Sequence, residues 1–323
     1  MRIGRSMAGL VLIAALAGCG GSGGGEPAGT AGGLEKTEIN VGVVPVPSAA
    51  PLFIAVERGF FKEEGLSVRT QTIQAPQQVM PQILNGGIDT FLTSYVSLIT
   101  ISDSRVAGLK ILTNSQQGAE GISGVVVAAD SPVRTPAQLK GRTIAVNTVR
   151  ALGEVTVSAH LRAAGLTPAD VKFVPVNFAE QIAALKAGRV DAAWMTEPYV
   201  TAAKEDLGGR VVIDTLSGPT AGLPLDGWAA TADWVGRHPK TAAAFQRAMA
   251  KAQRIAATDR DAINRIIPTY TQIPAGVAAA MGLGEFTASV DVRGVQKVVD
   301  LLAEFQITKT RIDAAQLVAA PPA

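Results

Sequence analysis

The chain alternates between two hydrophobic periods from Glu38 onward, and this alternation constrains the fold more than any other feature. Short β-branched runs, the first at 39–44, alternate with stretches of helical spacing, the first at 52–64. Strands separated by helices need crossover connections, which are right-handed and favour parallel pairing. The sequence therefore predicts an α/β fold in which mostly parallel sheets carry helices on their faces.

A second set of strands and helices begins at Thr135-Pro136, where a threonine N-cap precedes proline at the first helical position. Strands are predicted at 143–146, 172–176, 190–195 and 211–215. The chain has 323 residues, which at roughly 150 residues per domain suggests two domains. Two α/β units of this kind place a ligand cleft where strand ends and helix N-termini converge.

The N-terminus has the parts of an export signal, predicted to occupy residues 1–18. After a basic start, the apolar run at 7–17 is shorter than the ~17–25 residues of a membrane-spanning helix. It ends in Leu16-Ala17-Gly18-Cys19, which resembles the bacterial lipobox, whose cysteine is lipidated. The alternative is a buried cysteine after an ordinary signal peptide. Residues 19–36 are rich in glycine and are predicted to form a flexible tether.

The charge balance changes when this segment is removed. The chain has 29 Lys and Arg against 27 Asp and Glu, and the excess lies in Arg2 and Arg5. The remainder is electroneutral, which argues against a nucleic-acid partner. One cysteine and two histidines exclude a disulfide framework and a zinc cluster, so neither a cofactor nor a metal is predicted.

Several segments together carry a family resemblance. They are 51–66, with its Gly59 and Gly65; the leucine, glycine and aspartate turn at 83–89; 139–146; 185–194 followed by Glu197-Pro198-Tyr199; and 234–239. In this order and spacing, the chain from Glu38 to about Ile312 resembles the solute-binding lipoproteins of ABC importers. The similar group is the one that takes up nitrate, sulfonates, taurine and thiamine precursors.

The resemblance implies a type II periplasmic-binding-protein fold, with two α/β lobes, a central ligand cleft and two interlobe crossovers. Lobe 1 is predicted at 37–128 plus 220–323, and lobe 2 at 129–219. Such lobes close on a ligand by hinge motion and present it to a membrane permease and its ATPase. The expected protein is a monomer that catalyses nothing and is lipid-anchored through Cys19 on the outer face of the cytoplasmic membrane.

An enzyme of the same fold, related to thiamine pyrimidine synthesis, is the alternative. Its chemistry needs cysteine and histidine. Here the one cysteine is predicted to carry lipid, while His160 falls within a helix and His238 at a helix start. Both histidines are interpreted as structural.

Candidate ligand contacts in the first lobe follow the ends of its strands. Ser48 lies in a proline-rich loop after the first strand, and Thr93, Ser94 and Tyr95 lie at a helix start after the third. Hydroxyls and free backbone N–H groups at such a start can hold an anion or a polar group. Asp226 lies at the return to the first lobe. The alternatives are a stiffened connection around Ser48 and simple N-capping by Thr93 or Ser94.

Candidate contacts in the second lobe occupy equivalent places. They are Asn147, Thr148, Trp194, Glu197 and Tyr199. Arg150 lies nearby and would suit an anionic ligand unless it is a solvated loop arginine. Glu197 would accept from an amine or aminopyrimidine unless it caps its own helix. The indole of Trp194 offers apolar contact and one donor. The ligand class therefore stays open between sulfonate-, taurine- or nitrate-like solutes and a pyrimidine-type solute.

Overall fold

A computed structural model describes residues 33–322. The predicted signal segment, Cys19 and most of the predicted tether lie outside the described residues. From Leu34 onward the chain forms one compact unit. Within the described range, no helix combines the length and the apolar character needed to cross a bilayer.

The strands form two sheets. In chain order they are β1 Glu38–Val43, β2 Ser67–Thr72, β3 Thr90–Ser94, β4 Leu109–Gln117, β5 Ser123–Val127, β6 Thr143–Val146, β7 Lys172–Pro175, β8 Ala192–Thr196, β9 Arg210–Asp214, β10 Pro224–Thr231 and β11 Glu285–Phe286. The first sheet has the order β11-β4-β10-β3-β1-β2, and the second has the order β7-β6-β8-β5-β9.

Helices cover both sheets. They are α1 Ala50–Glu57, α2 Phe60–Glu63, α3 Met80–Leu84, α4 Tyr95–Asp103, α5 Leu152–Ala163, α6 Phe178–Lys186, α7 Tyr199–Leu207, α8 Ala232–Arg237, α9 Pro239–Thr258, α10 Arg260–Tyr270, α11 Ala275–Ala280 and α12 Val292–Glu304. The single helix predicted at 52–64 is interrupted at Gly59, whose φ of +75° ends α1 and turns the chain into α2.

Both sheets are mixed, so the prediction of mostly parallel sheets is wrong. Parallel pairs join β1 to β2 and β3, and join β6 to β7 and β8. The pairs that involve β4, β5, β9, β10 and β11 are antiparallel. The chain passes from β4 into β5 and from β9 into β10 without a crossover helix, which removes the constraint that favours parallel pairing.

The chain crosses between the sheets twice. β4 ends at Gln117 and β5 begins at Ser123, and the return lies between Asp214 and Pro224. β5 pairs with β8 and β9 of the second sheet, so the first crossing precedes the boundary predicted at residue 129. A valine-rich strand of this kind fits either core, and its composition does not specify which sheet it joins.

The second half of β4 is polar and buried, and a side chain of α9 donates hydrogen bonds to its backbone carbonyl groups. Gln253 donates from Nε2 to the carbonyl oxygens of Asn114 and Ser115 at 3.0 and 3.1 Å. The sequence predicts a strand only at 110–113, because the polar residues that follow do not resemble a core strand. Because these polar residues are buried under α9, β4 continues to Gln117, and Gln116 reaches the space between the sheets.

Candidate ligand-binding site

A cavity of about 910 Å³ lies between the two sheets and is lined from both. Lining residues follow β1, β3, β6, β7 and β8, where parallel strands end and helices begin. Open α/β sheets bind their ligands at this edge, because loops and helix N-termini meet there. The cavity therefore occupies the place where this topology concentrates polar groups.

Three helices begin at the cavity wall. Ser94 caps α4 by accepting a hydrogen bond from the Ser97 backbone N–H at 3.1 Å. Ala151 before α5 and Asn177 before α6 provide no side-chain cap. The first N–H groups of a helix lack intrahelical acceptors and carry partial positive charge, so these turns favour oxygen atoms of a ligand.

Three neighbouring strands of the first sheet place polar side chains side by side. Asp226 of β10 is in register with Ser94 of β3 and with Gln116 of β4, and all three line the cavity. Gln116 is 7% exposed, and its Nε2 has no hydrogen-bond partner. Ser48 is 2% exposed, and its Oγ has no partner either. Buried polar atoms are rarely left unpaired, and these two lie at the cavity, so they are available to a polar ligand.

Asp226 is the carboxyl group of this cluster, and its side chain is partly buried. Burial raises its pKa from 3.8 to about 6, and the nearby Ser48 hydroxyl, although not well aligned for a hydrogen bond, offsets a part of that rise. Among the described residues, no positively charged side chain contributes to stabilising the ionised form. The carboxylate therefore lies at the cavity wall without a counter-ion from the chain.

The second lobe places Asn147 and Thr148 in the cavity wall directly after β6. Trp194 also lines the cavity, but its Nε1–H donates to Thr215 Oγ1 at 3.0 Å. The prediction that the indole offers this donor to a ligand is therefore wrong. The ring packs 5.7 Å from that of Phe178 and against Gly153. Trp194 thus supplies an apolar surface and fixes the start of α5.

The two charged candidates of the second lobe are already engaged. Glu197 accepts from the backbone N–H and the Oγ1 of Thr201 at 3.2 and 2.8 Å, so it caps α7 at the cavity edge. Arg150 lines the cavity, and its guanidinium donates to the carbonyl oxygen of Gln306 at 2.7 Å. The Arg150 guanidinium is therefore not free to balance the Asp226 charge, and the Glu197 carboxylate carries charge of the same sign.

Tyr95 and Tyr199 lie outside the cavity lining. Tyr95 follows Ser94 by one residue, but successive helical residues point in different directions. Its hydroxyl donates to Asn114 Oδ1 at 2.9 Å within the first lobe, where burial raises its pKa. The Tyr199 ring stacks on Phe178 at 5.3 Å. The other eight predicted residues, Ser48, Thr93, Ser94, Asn147, Thr148, Trp194, Glu197 and Asp226, line the one cavity.

Sequence reasoning missed three contributions to the wall. They are Gln116, the glutamine-rich loop at 74–78, and the segment 282–284. The loop follows β2, so the strand-end rule would have found it. Gly284 lies so close to β4 that a Cβ there would stand 2.4 Å from the Gln117 carbonyl oxygen. No sequence pattern signals that contact between distant segments.

The two histidines lie outside the cavity lining. His160 Nε2 pairs with Thr220 Oγ1 at 2.9 Å, near the return crossover, and burial lowers its pKa. His238 Nδ1 donates to the Trp234 carbonyl oxygen at 3.1 Å. Both positions agree with the structural interpretation of these residues.

Two α/β lobes, joined by two crossings and enclosing a cavity to which both contribute polar side chains, define a solute-binding protein of the type II periplasmic-binding-protein fold. The family model described as NMT1/THI5 like matches residues 46–263. The chain belongs to this family. The fold class and the family group predicted from the sequence are thereby confirmed.

Relatives of the chain include proteins that are named for the solute they bind. The chain is 25% identical to the taurine-binding periplasmic protein of Escherichia coli over 68% of each chain. It is 26% identical to the bicarbonate-binding protein CmpA of Synechococcus elongatus, over 68% of this chain and 54% of that one. The chain therefore matches about half the length of the bicarbonate-binding relative.

Solved structures share the fold. The periplasmic aliphatic sulphonate binding protein SsuA from Escherichia coli is 20% identical, with a TM-score of 0.75 over 88% of this chain and 93% of that one. The desulfurization enzyme DSZB is 18% identical, with a TM-score of 0.67 over 88% and 97%. The fold thus occurs in both a binding protein and an enzyme, and the fold alone does not separate the two.

Proposed function

We propose that the protein is the extracytoplasmic solute-binding component of an ABC importer, which captures one small polar organic solute between its lobes. The observation that carries the proposal is the interlobe cavity, to whose wall both lobes contribute polar side chains. A ligand that contacts both lobes binds the closed form more strongly than the open form, and so favours closure. A permease can then recognise the closed, loaded protein.

Contacts between the lobes support this account. Arg150 and Arg162 of the second lobe reach the end of α12 and the residues directly after it in the first lobe. Arg162 forms an ion pair with Glu304, and its guanidinium lies 5.1 Å from the centre of the Phe305 ring. These contacts join the two lobes at one edge of the cleft.

The chemistry of the cavity favours binding over catalysis. Its predicted polar contacts are Ser48, Thr93, Ser94, Asn147, Thr148, Glu197 and Asp226, with Trp194 as an apolar wall. Catalysis of the thiamine-pyrimidine type would use cysteine and histidine at the reacting centre. His160 and His238 are held elsewhere by Thr220 and Trp234. The relatives named above by their ligands are binding proteins.

A solute screen tests the proposal. The purified mature chain is heated with taurine, an alkanesulfonate, nitrate, bicarbonate or hydroxymethyl-pyrimidine, and each solute is then recovered and quantified. We expect one chemical class to raise the melting temperature and to be recovered unchanged. Conversion of any bound solute would support the enzyme alternative instead. The failure of all five to bind would contradict the proposal.

The same proposal includes a membrane anchor and transport partners. Cys19 would carry the lipid, residues 19–36 would tether the folded body, and a permease with its ATPase would receive the solute. We expect Cys19→Ser to release the protein from the membrane fraction of cells that express the full chain, with unchanged solute affinity because the cavity is remote in sequence. Retention of the variant in that fraction would contradict the anchor.

A further inference from the structure

We propose that the solute carries a protonated nitrogen, which the Asp226 carboxylate binds, and an anionic or polar end, which the second lobe binds. This inference rests on the proposed function, since it names the chemical class that the same cavity takes. It separates zwitterionic or cationic nitrogen compounds from simple anions such as nitrate or bicarbonate.

The charged residues that line the cavity leave one carboxylate uncompensated. Asp226 and Glu197 are its two acidic residues, and Arg150 is the one cationic residue among the described residues of its wall. The Glu197 carboxylate accepts two hydrogen bonds from Thr201, and the Arg150 guanidinium donates to backbone carbonyls at 306 and 307. Asp226 therefore faces the cavity without compensation from the chain.

A solute cation would supply that compensation. A carboxylate removed from water is costly unless it is paired, and the cost appears here as the raised pKa of Asp226. A simple anion would add like charge beside Asp226 and would raise the cost further. A protonated nitrogen would remove it, because an opposite charge within hydrogen-bond distance favours the ionised carboxyl group.

The neighbours of Asp226 fit a nitrogen with several hydrogen atoms. Gln116 is one strand away on β4, and its Nε2 has no partner in the first lobe. Ser48 Oγ is likewise without a partner. An ammonium group has three donors, so it can bond the Asp226 carboxylate and use the Ser48 oxygen as a second acceptor. The Gln116 amide then remains free to donate to a solute oxygen.

The opposite wall fits the other end of such a solute. α5 and α6 start there without side-chain caps, and Asn147 and Thr148 lie beside them. Uncapped helix starts favour sulfonate, carboxylate or phosphate oxygens. The volume of about 910 Å³ is many times the ~30 Å³ of one water molecule. The cavity therefore has room for two separated polar ends, which a four-atom anion does not need.

Matched solute pairs that differ only in charge at one end test the inference. Taurine is compared with propane-1-sulfonate, and β-alanine with butanoate, because a methyl group replaces the ammonium in each pair. Affinities of the mature chain are measured by calorimetric titration. We expect at least one ammonium compound to bind about tenfold or more tightly than its partner, which corresponds to about 1.4 kcal/mol or more.

The variant Asp226→Asn tests whether the preference for ammonium compounds comes from this carboxyl group. It removes a buried charge and keeps the side-chain size, so we expect it to fold. We expect the ratio of affinities within the pair to fall toward one, mainly through weaker binding of the ammonium compound. Asp233→Asn, which removes an exposed carboxylate on α8, is the charge-matched control and should leave the ratio unchanged.

The outcomes separate this inference from the proposed function. Equal binding of both members of each pair, or a preference that survives in Asp226→Asn, would overturn the inference. Binding of nitrate, bicarbonate or an alkanesulfonate without such a preference would overturn it while the proposed function stands. If no ammonium compound, no anion and no hydroxymethyl-pyrimidine binds, both proposals fail.

Discussion

Asp226 is the residue whose proposed contact with the solute comes at a cost to the stability of the fold. Its carboxyl group is held at the cavity wall by β10, between Ser94 and Gln116 of the adjacent strands. A fold optimised for stability alone would avoid a buried, unpaired carboxylate there. The aspartate was predictable from its place at the return to the first lobe. Its polar neighbour Gln116 was not, because a buried polar strand resembles a loop in sequence.

The pH dependence of stability tests the burial of Asp226. Its folded-state pKa is raised from 3.8 to about 6, so the folded state binds more protons between these values, and stability falls as pH rises through them. We expect Asp226→Asn to be more stable than the wild type above pH 7, by up to about 3 kcal/mol. The difference should shrink to near zero below pH 4.

Urea unfolding of both proteins at pH 4 and pH 7.5 measures this difference. The ionisable groups other than Asp226 are present in both proteins, and their contributions cancel to a first approximation. A pH-independent difference would show that the charge of Asp226 is not responsible.

Gly153 makes a second prediction at the residue scale. A Cβ at this position would lie 2.3 Å from Trp194 Cε3, so the glycine permits α5 to start against the indole. We expect Gly153→Ala to lower the free energy of unfolding by about 1–3 kcal/mol through overpacking, and to weaken solute binding because α5 shifts. Gly236→Ala is the matched control, since open space surrounds Gly236 in α8. In urea unfolding the control should be neutral or slightly stabilising.

At the scale of elements, strand ends and helix starts supply most of the residues that line the cavity. The sequence placed its candidates by this rule, and eight of the ten line the cavity because parallel strands end there before α4, α5 and α6. That these residues bind the solute stays a prediction. The rule failed for side-chain direction, as Tyr95 and Tyr199 show, because direction depends on packing. It also failed for segments that enter from far away in sequence, such as Gly284 beside β4.

One serine and one threonine that each cap a helix allow the effect of capping to be distinguished from the effect of ligand contact. Ser94 caps α4 at the cavity, and Thr231 caps α8 at 3.1 Å from the Trp234 backbone nitrogen, outside the cavity lining. We expect Ser94→Ala and Thr231→Ala each to lower the free energy of unfolding by about 1 kcal/mol. Only Ser94→Ala should also weaken solute binding in a calorimetric titration. Equal affinities of the two variants would mean that Ser94 serves as a cap alone.

At the scale of the whole molecule, the two crossings make the lobes separable and the contacts near α12 hold them together. Arg150 and Gln306 meet across this edge, and both adopt positive φ angles, of +57° and +55°. A non-glycine residue in the left-handed region is uncommon and often marks a functional constraint. The sequence predicted two lobes from element order. It did not predict these contacts, because they join residues about 150 positions apart.

Removing the Arg162 side chain tests whether these contacts favour closure. Arg162→Ala loses the ion pair with Glu304 and the contact with Phe305. We expect the solute-free protein to open, with a larger radius of gyration in small-angle X-ray scattering and weaker solute binding. Arg237→Ala removes an exposed arginine that pairs with Asp233 on the same helix, so it should change neither. An unchanged radius for Arg162→Ala would show that the contact does not hold the lobes together.

The central claim is that the cavity captures an intact solute, and equilibrium dialysis followed by mass spectrometry tests it most directly. The mature chain is dialysed against the mixed panel of amines, sulfonates, nitrate, bicarbonate and hydroxymethyl-pyrimidine, and the retained solute is released by denaturation and identified. The account predicts one retained compound, at one molecule per chain, chemically unchanged and bearing a protonated nitrogen. No saturable retention, or the recovery of a converted product, would contradict it.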